Sequence, residues 1–355
     1  AERLAVPVDF HRWLQWQIDE QLAGTQAAAR DAGMPLGLLH DLAVGADPDG
    51  ADSWMYQDVL ATGATVGAPP DAFNRLGQDW RQPPWHPGRL AEAAYTPYRE
   101  LVRFWLRHGG GLRADHVMGL FRLWWVPEGA DPTQGTYVRY DHEAMVGILA
   151  LEAQLAGAVV VGEDLGVVEP RVRRHLAARG ILGTSLLWFE ESRDGTPRPP
   201  QTWRELSLAT VDSHDMPTIA GYTSGEYLGV RDELGIVGQP VEQARVELAA
   251  KLARWRRTLV DLGLMDEHET DPTAALHGFL ARTHAMLVGL SLTDLVGERR
   301  SQNLPGTDRE YPNWRVPLGD GTGREVLLDE LVGREDVAVA LRTVVAALGE
   351  VRAGR

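Results

Sequence analysis

The chain has 355 residues, no cysteine and a formal net charge of −15 at pH 7. The missing thiols exclude disulfides and cysteine metal ligands, and the acidic balance argues against nucleic acid and anionic membranes, which bind basic surfaces. The length suits a single α/β barrel with insertions.

Neither a membrane span nor a signal peptide is expected. The sequence has no run of about 18 apolar residues, the length that indicates a transmembrane helix. Residues 1–10 lack the basic stretch and following apolar stretch of a secretory signal. Together with the absence of cysteine, these features lead us to expect a cytoplasmic protein without membrane or nucleic-acid partners.

Short apolar runs alternate with helical patterns along the chain. In chain order, helices are predicted at about 9–32, 95–108, 141–156, 168–179, 240–262, 272–284 and 335–349. Strands are predicted at 34–42, 110–116, 158–164, 182–189, 206–215 and 285–294. Residues 43–89 show no periodicity and are interpreted as a long irregular insertion, and a loop is expected around Trp124 and Trp125.

This alternation indicates βαβ units and a parallel sheet. Asp41, Asp115, Glu163 and Asp215 end four of the predicted strands, and barrel active sites lie at that end. A doubly wound sheet binds ligands only where its strand order reverses, so four successive acidic ends favour a closed ring. We therefore predict an α/β fold of the (β/α)8 TIM-barrel type with inserted loops.

The predicted barrel is incomplete, because six strands are recognised where eight are needed. The chain opens directly in a helix, and we expect the first two strand–helix units to be absent from it. The alternative is that two strands lie hidden in segments assigned to loops. The predicted domains are a barrel over 1–335, with insertions at about 43–90 and 220–270, and a C-terminal helix over 336–355.

The segment G-L-R-A-D-H (111–116) places Arg113 and Asp115 on the same face of a strand. A guanidinium beside a carboxylate favours its ionised form, which a glycosyl nucleophile requires. A purely structural ion pair has the same spacing, and this segment alone does not distinguish the two.

Adjacent carboxylates, Glu163 and Asp164, end the strand in V-V-V-G-E-D-L-G (159–166). If only Glu163 faces a cleft, burial and neighbouring charge raise its pKa, which suits a general acid near neutral pH. Asp164 is then interpreted as a structural residue that caps the following turn.

The third segment, T-V-D-S-H-D-M-P-T (210–218), carries His214 and Asp215. The imidazole can donate hydrogen bonds to sugar hydroxyls, and Asp215 can hold hydroxyls and stabilise a cationic transition state. Two carboxyl groups that flank a glycosidic bond cleave it with retention of configuration when they lie about 5 Å apart.

A divalent metal site is the competing interpretation. Suitable ligand types are present in Asp212, His214, Asp215, His116 and His40. The paired histidine spacing of H-E-x-x-H is absent from the sequence. We therefore favour carboxylate chemistry without a metal or cofactor.

Together these segments resemble the 4-α-glucanotransferases of glycoside hydrolase family 77, in the α-amylase clan. The R-x-D-H, E-D-L-G and H-D motifs of that family fall on Arg113, Asp115 and His116, on Glu163–Gly166, and on His214 and Asp215. Further matches are H-D-L-A-V (40–44), which includes Asp41, V-G-A-P-P-D-A-F-N-R-L-G-Q-D-W (66–80), and N-L-P-G-T with Y-P-N-W-R-V-P-L (303–318). The resemblance covers about residues 7–335.

The resemblance implies transfer of α-1,4-glucan segments between malto-oligosaccharides, by a retaining double displacement through a covalent glycosyl-enzyme and without a cofactor. It implies Asp115 as nucleophile, Glu163 as acid/base and Asp215 as third carboxylate. It implies substrate-binding roles for Arg113, His116, His214, Asp41, Gln78 and Trp80. The Gln78–Trp80 loop is expected to cover the cleft on the acceptor side.

One departure agrees with the strand count. Family members begin with a segment that carries a Ser-Pro-Tyr-Gln motif, and this sequence contains none, so the chain resembles a member without its N-terminal third. Two alternatives remain open at this point. One is an α-amylase-type hydrolase, which the 66–80 segment disfavours, and the other is a non-catalytic glucan-binding protein.

Overall fold

The computed structural model describes residues 4–70, 77–166 and 168–353. The chain forms two compact units, the first extending to Gly183 and the second starting at Thr184. Each unit has its own parallel sheet and its own apolar core.

The first unit alternates helices and strands after a long opening helix. Its strands are β1 (Leu39–Leu42), β2 (Ala64–Ala68), β3 (Gln78–Gln82), β4 (Gly111–Ala114), β5 (Arg122–Pro127), β6 (Thr136–Arg139) and β7 (Val159–Gly162). Its helices are α1 (Ala5–Asp31), α2 (Ala51–Met55), α3 (Pro87–Glu92), α4 (Thr96–Leu106), α5 (His142–Ala156) and α6 (Pro170–Ala177).

The second unit is richer in helix. Its strands are β8 (Gly183–Leu186), which starts at the boundary, β9 (Ser207–Thr210) and β10 (Leu287–Val288). Its helices are α7 (Ile219–Ser224), α8 (Glu226–Glu233), α9 (Val241–Asp261), α10 (Thr273–Ala281), α11 (Leu292–Val296), α12 (Leu328–Leu331) and α13 (Glu335–Ala353). Within the described ranges, no helix in either unit has the length and apolarity needed to cross a bilayer.

The parallel sheet of the first unit has the order β1-β4-β7. Leu42 pairs with Ala114, and Ala114 pairs with Gly162, so these three strands end in register. The ladder continues past the strand ends, since the Asp115 N–H donates to the Leu42 carbonyl and the Glu163 N–H to the Ala114 carbonyl, both at 2.9 Å. The acidic residues after β4 and β7 are therefore fixed by the backbone of the neighbouring strand.

The irregular insertion predicted over 43–89, and the loop predicted around Trp124, are both corrected by the structure. These segments form an antiparallel sheet of order β3-β2-β5-β6. Contacts between its strands, which a single segment does not reveal, hold it together. Trp124 pairs with Tyr137, their ring centroids lie 5.0 Å apart, and the Arg122 guanidinium lies 4.2 Å over the Tyr137 ring.

The core of the first unit lies between its helices and its parallel sheet. Val102 of α4 and Leu149 of α5 are fully buried together with Leu112 of β4. Burial of each such side chain contributes about 1.5–3 kcal/mol, so α4 and α5 are held on the sheet by their apolar faces.

The second unit packs its helices around aromatic side chains. Trp255 of α9 contacts Trp188, which follows β8, with ring centroids 5.9 Å apart. It also contacts Phe279 of α10, with ring centroids 5.2 Å apart. β9 runs parallel to β10, with Leu208 opposite Leu287. The strand predicted to extend to 294 ends at Val288, because residues 292–296 form α11 instead. All six predicted strands are otherwise present, and the α/β class is confirmed.

Candidate active site

Arg113 joins two of the predicted site residues. It lies in β4 opposite Asp41 of β1. One of its terminal nitrogens donates to Asp41 Oδ1 at 2.6 Å and the other to Asp115 Oδ1 at 2.9 Å. Burial opposes the charge of Arg113, but the two carboxylates outweigh it and raise the pKa of the guanidinium. A permanent positive charge is thus held between Asp41 and Asp115.

Glu163 lies at the end of β7, next to Asp115. Its placement depends on Gly162, because a Cβ at that position would come within 2.9–3.0 Å of the Val117 side chain. The Val117 N–H donates to the Glu163 carbonyl at 2.9 Å, so the turn after β4 packs on the end of β7. Both acidic residues therefore project from the same edge of the sheet.

The environment of Glu163 raises its pKa to about 7. Burial is the main cause, and the negative charge of Asp115 adds to it. Backbone hydrogen bonds from Leu165 to Oε1 at 2.6 Å and from His116 to Oε2 at 3.0 Å, with the Arg113 charge, act in the opposite direction and are outweighed. The sequence-based expectation of a raised pKa is confirmed.

Asp164, next in sequence to Glu163, is buried and only 1% exposed. Arg173 of α6 donates to its Oδ2 at 3.1 Å and to its carbonyl oxygen at 3.1 Å. This contact ties the end of β7 to α6, which fits the structural role predicted for Asp164.

His116 has a left-handed backbone, with φ 41° and ψ 58°. This conformation is uncommon for residues other than glycine, and it turns the His116 N–H toward Glu163. The His116 ring lies edge-on to Trp80, with centroids 5.5 Å apart. Trp80 in turn donates to Gln78 Oε1 at 3.3 Å, so both β3 residues predicted for the site adjoin it.

Residues 71–76, within the family-like segment 66–80, lie outside the described residues. Gln78 and Trp80, expected in a loop that covers the cleft, lie in the strand β3 instead. The flanking strands β2 and β3 pair closely, since a Cβ on Gly67 would approach the Gln78 carbonyl to 2.0 Å. His40 contacts structural partners: its Nε2 bonds the His108 carbonyl at 3.0 Å and its ring lies against Trp105.

His214 and Asp215 lie in the second unit, after β9. Asp215 Oδ1 accepts a hydrogen bond from the Asn303 side chain at 2.6 Å, and His214 Nε2 lies 3.3 Å from Asp215 Oδ2. The His214 ring packs on Trp314, with centroids 4.9 Å apart. Sequence reasoning did not select Asn303 or Trp314, although both belong to the family-like segment 303–318, which was the available signal.

A buried carboxyl pair lies beside this segment. Asp212 and Asp294 are 6% and 3% exposed and are hydrogen-bonded to each other. Burial, and then their mutual charge, raise the pKa of Asp212, and burial raises that of Asp294. Asp294 Oδ1 accepts the Ile219 N–H at 2.7 Å, while its Oδ2 has no donor among the described residues unless Asp212 carries a proton. Burial thus favours the protonated form of both carboxyl groups, and Asp294 secures the start of α7 through the Ile219 N–H.

The metal ligands considered from the sequence do not form a cluster with metal-ligand spacing within the described ranges. The first unit brings together the Asp115 carboxylate, which is bound to the Arg113 cation, and the Glu163 carboxyl group, whose pKa is about 7. Such a pair can supply a nucleophile and a general acid.

Comparison with known proteins agrees with the motifs. Residues 1–321 match the family model described as 4-alpha-glucanotransferase. The chain belongs to this family, glycoside hydrolase family 77. A 4-alpha-glucanotransferase of Mycobacterium tuberculosis is 55% identical over 98% of this chain and 49% of its own length. The protein of that name from Haemophilus influenzae is 34% identical over 86% of this chain and 45% of its own length.

Solved structures of amylomaltases share the fold. The enzyme from Corynebacterium glutamicum superposes with a TM-score of 0.90 at 47% identity, covering 94% of this chain and 50% of that one. The enzyme from Streptococcus agalactiae, in complex with acarbose, gives a TM-score of 0.75 at 18% identity, covering 97% and 64%. The predicted TIM-barrel type of α/β fold is thus confirmed. This family member spans about half the length of the curated relatives that it matches.

Proposed function

We propose that this chain supplies the catalytic carboxylates of a 4-α-glucanotransferase that works by retaining double displacement. The observation that carries the proposal is the contrast between neighbouring strand ends. Asp115 is bound to the Arg113 cation, whereas Glu163 has a pKa of about 7. One group is suited to attack as a carboxylate and the other to donate a proton.

The first step is glycosylation of Asp115. Glu163 donates its proton to the glycosidic oxygen, the bond from that oxygen to the anomeric carbon breaks, and a carboxylate oxygen of Asp115 bonds to that carbon. Neighbouring strands lie about 4.8 Å apart, and retaining pairs are separated by about 5–5.5 Å. The in-register ends of β4 and β7 therefore suit retention.

The second step returns the enzyme to its starting state. A hydroxyl of a second glucan gives its proton to Glu163, now ionised, and attacks the anomeric carbon, and the bond to Asp115 breaks. Burial around Glu163 suits this reversal, because a pKa near working pH lets one group act as acid and then as base.

Asp215 and His214 are proposed to bind hydroxyls of the substrate sugar. The support for this comes from the H-D motif and from contacts within the second unit. Asn303 and His214 hold the Asp215 carboxylate from both sides, at 2.6 and 3.3 Å. Asp41 is proposed to act through Arg113, by sharing the cation that holds the Asp115 carboxylate.

Transfer rather than hydrolysis requires that a sugar hydroxyl, not water, reaches the intermediate. Trp80 beside His116 offers an apolar face of the kind on which sugar rings stack, and the complex of the Streptococcus relative with acarbose supports a glucan-like ligand. We propose α-1,4-glucans and malto-oligosaccharides as substrates.

The test uses two donors with this chain. Maltotriose requires protonation of its leaving group, whereas an α-maltosyl fluoride has a leaving group that departs with little acid assistance. Asp115→Asn should abolish reaction of both donors. Glu163→Gln should abolish reaction of maltotriose but spare the first, stoichiometric release of fluoride, because only the second step then needs Glu163 as a base. Asp232→Asn, in an exposed position on α8, is the matched control.

Products of maltotriose, separated by chromatography, distinguish the alternatives. Longer oligosaccharides together with glucose support transfer, whereas glucose and maltose alone indicate a hydrolase. Binding of maltoheptaose without reaction of either donor would indicate a glucan-binding protein. Fluoride release that survives in Asp115→Asn would refute the assignment of the nucleophile.

A further inference from the structure

Two histidines and a glutamate meet on the surface of the first unit, at the ends of the helices that flank β7. His142 and Glu143 are the first residues of α5, and His175 lies in the last turn of α6. His142 Nε2 lies 3.8 Å from Glu143 Oε1, and His175 Nδ1 lies 3.7 Å from the same oxygen. We call these three residues, with Arg179, the two-histidine cluster.

The imidazole rings of the cluster are held in place by packing. Phe121 stacks on His142 with ring centroids 4.9 Å apart, and contacts His175 edge-on at 5.4 Å. The two imidazoles lie 4.9 Å from each other. This shared contact orients the rings before any ligand arrives, which reduces the entropy lost on binding.

The hydrogen bonds fix the tautomer of His175. Arg179 Nη1 lies 3.2 Å from His175 Nδ1, and a guanidinium can only donate. Nδ1 therefore presents a lone pair toward the centre of the cluster, and in the neutral ring the proton is on the buried Nε2. A lone pair on imidazole nitrogen is what metal coordination requires.

The three ligand atoms all lie within 4.8 Å of one another, a spacing compatible with a tetrahedral transition metal. Bonds of about 2.0–2.1 Å to nitrogen and oxygen place two ligand atoms of tetrahedral zinc about 3.3 Å apart. The two histidine nitrogens lie 3.7 and 3.8 Å from Glu143 Oε1. Small side-chain rotations would bring these distances to the value of the zinc-bound state. Two imidazoles and one carboxylate favour Zn²⁺, Cu²⁺ or Ni²⁺ over Mg²⁺ or Ca²⁺, which prefer oxygen ligands.

Arg179 places a positive charge where the metal ion would lie, since its guanidinium contacts His175 Nδ1 and pairs with the Glu143 carboxylate. Its side chain is 29% exposed and follows the end of α6, so it can turn out to solvent. A divalent ion would replace this cation on the same carboxylate and the same nitrogen.

We propose that His142, Glu143 and His175 form a binding site for a late transition-metal dication, with Arg179 as the exchangeable cation of the metal-free state. The bound ion joins the start of α5 to the end of α6. These helices precede and follow β7, the strand that leads directly into Glu163, so the ion braces the elements around that residue. Its role is structural, and it takes part in no step of the sugar chemistry.

The test is a titration of the chain with ZnCl₂ by calorimetry, in a weakly coordinating buffer at pH 7.5. We expect one saturable site and a higher melting temperature with zinc. His142→Ala should weaken the affinity by more than about tenfold, because the loss of even an outer-shell partner of a metal ligand costs about 10–100-fold. Arg179→Gln should strengthen it, because the competing charge is removed. His268→Ala, at an exposed histidine of the second unit, should leave it unchanged.

Replacing His142 is the safer ligand variant, since its side chain is 42% exposed and its loss leaves no cavity in the core. Co²⁺ provides a spectroscopic check, because tetrahedral coordination by this set gives strong visible absorption that His142→Ala should abolish. Equal zinc affinities for His142→Ala, His268→Ala and the unchanged chain would overturn the proposal. So would weaker binding in Arg179→Gln, which would show that Arg179 supports the cluster as a permanent ion-pair network.

Discussion

Glu163→Gln tests the electrostatics of the candidate site through stability, without relying on activity. The folded chain holds a proton on Glu163 up to about pH 7, whereas a carboxyl in the unfolded chain loses it near 4.5. In that interval the folded state binds more protons than the unfolded state, so stability falls as pH rises. The glutamine variant does not titrate and lacks this loss.

The magnitude follows from the width of that interval. A difference of about 2.5 pH units corresponds to about 3.4 kcal/mol, which we reduce to about 2 kcal/mol because the side chain remains partly accessible to solvent. Both Glu163 oxygens accept backbone N–H groups, and an amide can accept only one of them. That lost hydrogen bond costs about 1 kcal/mol at every pH.

Glu163→Gln should therefore be about 1 kcal/mol less stable than the unchanged chain at pH 4, and about 1 kcal/mol more stable at pH 9. Urea unfolding at intervals between these values measures the difference, and Glu128→Gln, at an exposed position in the first unit, is the control. A difference that stays constant within about 0.5 kcal/mol across this range would refute the reasoning, because it would mean that Glu163 titrates normally.

Three further substitutions address other parts of the chain. Asp212→Asn should keep an N–H donor to Asp294 in place of a titrating proton. Burial raises the pKa of Asp212, so the unchanged chain loses stability as the pH rises above the ordinary range of a carboxyl group, and the variant should lose less, as followed by urea unfolding. Leu149→Ala, at a fully buried position, should cost about 2–5 kcal/mol, and a cost below about 1 kcal/mol would contradict the described core. Asn303→Ala should lower turnover of maltotriose about tenfold with little effect on the melting temperature, because it removes only a donor to Asp215. Unchanged turnover would show that this contact does not position the carboxylate.

The parallel strands were predictable from the sequence because their pattern is local. The strand β7 is a short apolar run buried on both faces, and β4 departs from that pattern only at Arg113. Such runs need no information about partners. The antiparallel sheet is different. The strand Ala64–Ala68 contains two alanines and a glycine, and its pairing with β5 depends on residues about 60 positions away.

The candidate site shows the same division. Arg113 and Asp115 are two residues apart, so strand geometry alone predicts their contact. Asn303 and Asp215 are 88 positions apart, and nothing in either segment indicates that they meet. The helix over 292–296 was also missed, because a short apolar run does not distinguish a strand from one turn of helix.

The donor that His116 directs at Glu163 is a main-chain group, and this affects how the site is studied. Any side chain placed at 116 retains the N–H, apart from proline, which lacks it and cannot adopt a positive φ. Alanine scanning would therefore report the loss of the imidazole against Trp80 and leave this influence on the acid unchanged. Replacing the 115–116 amide with an ester is the chemical edit that removes the donor alone.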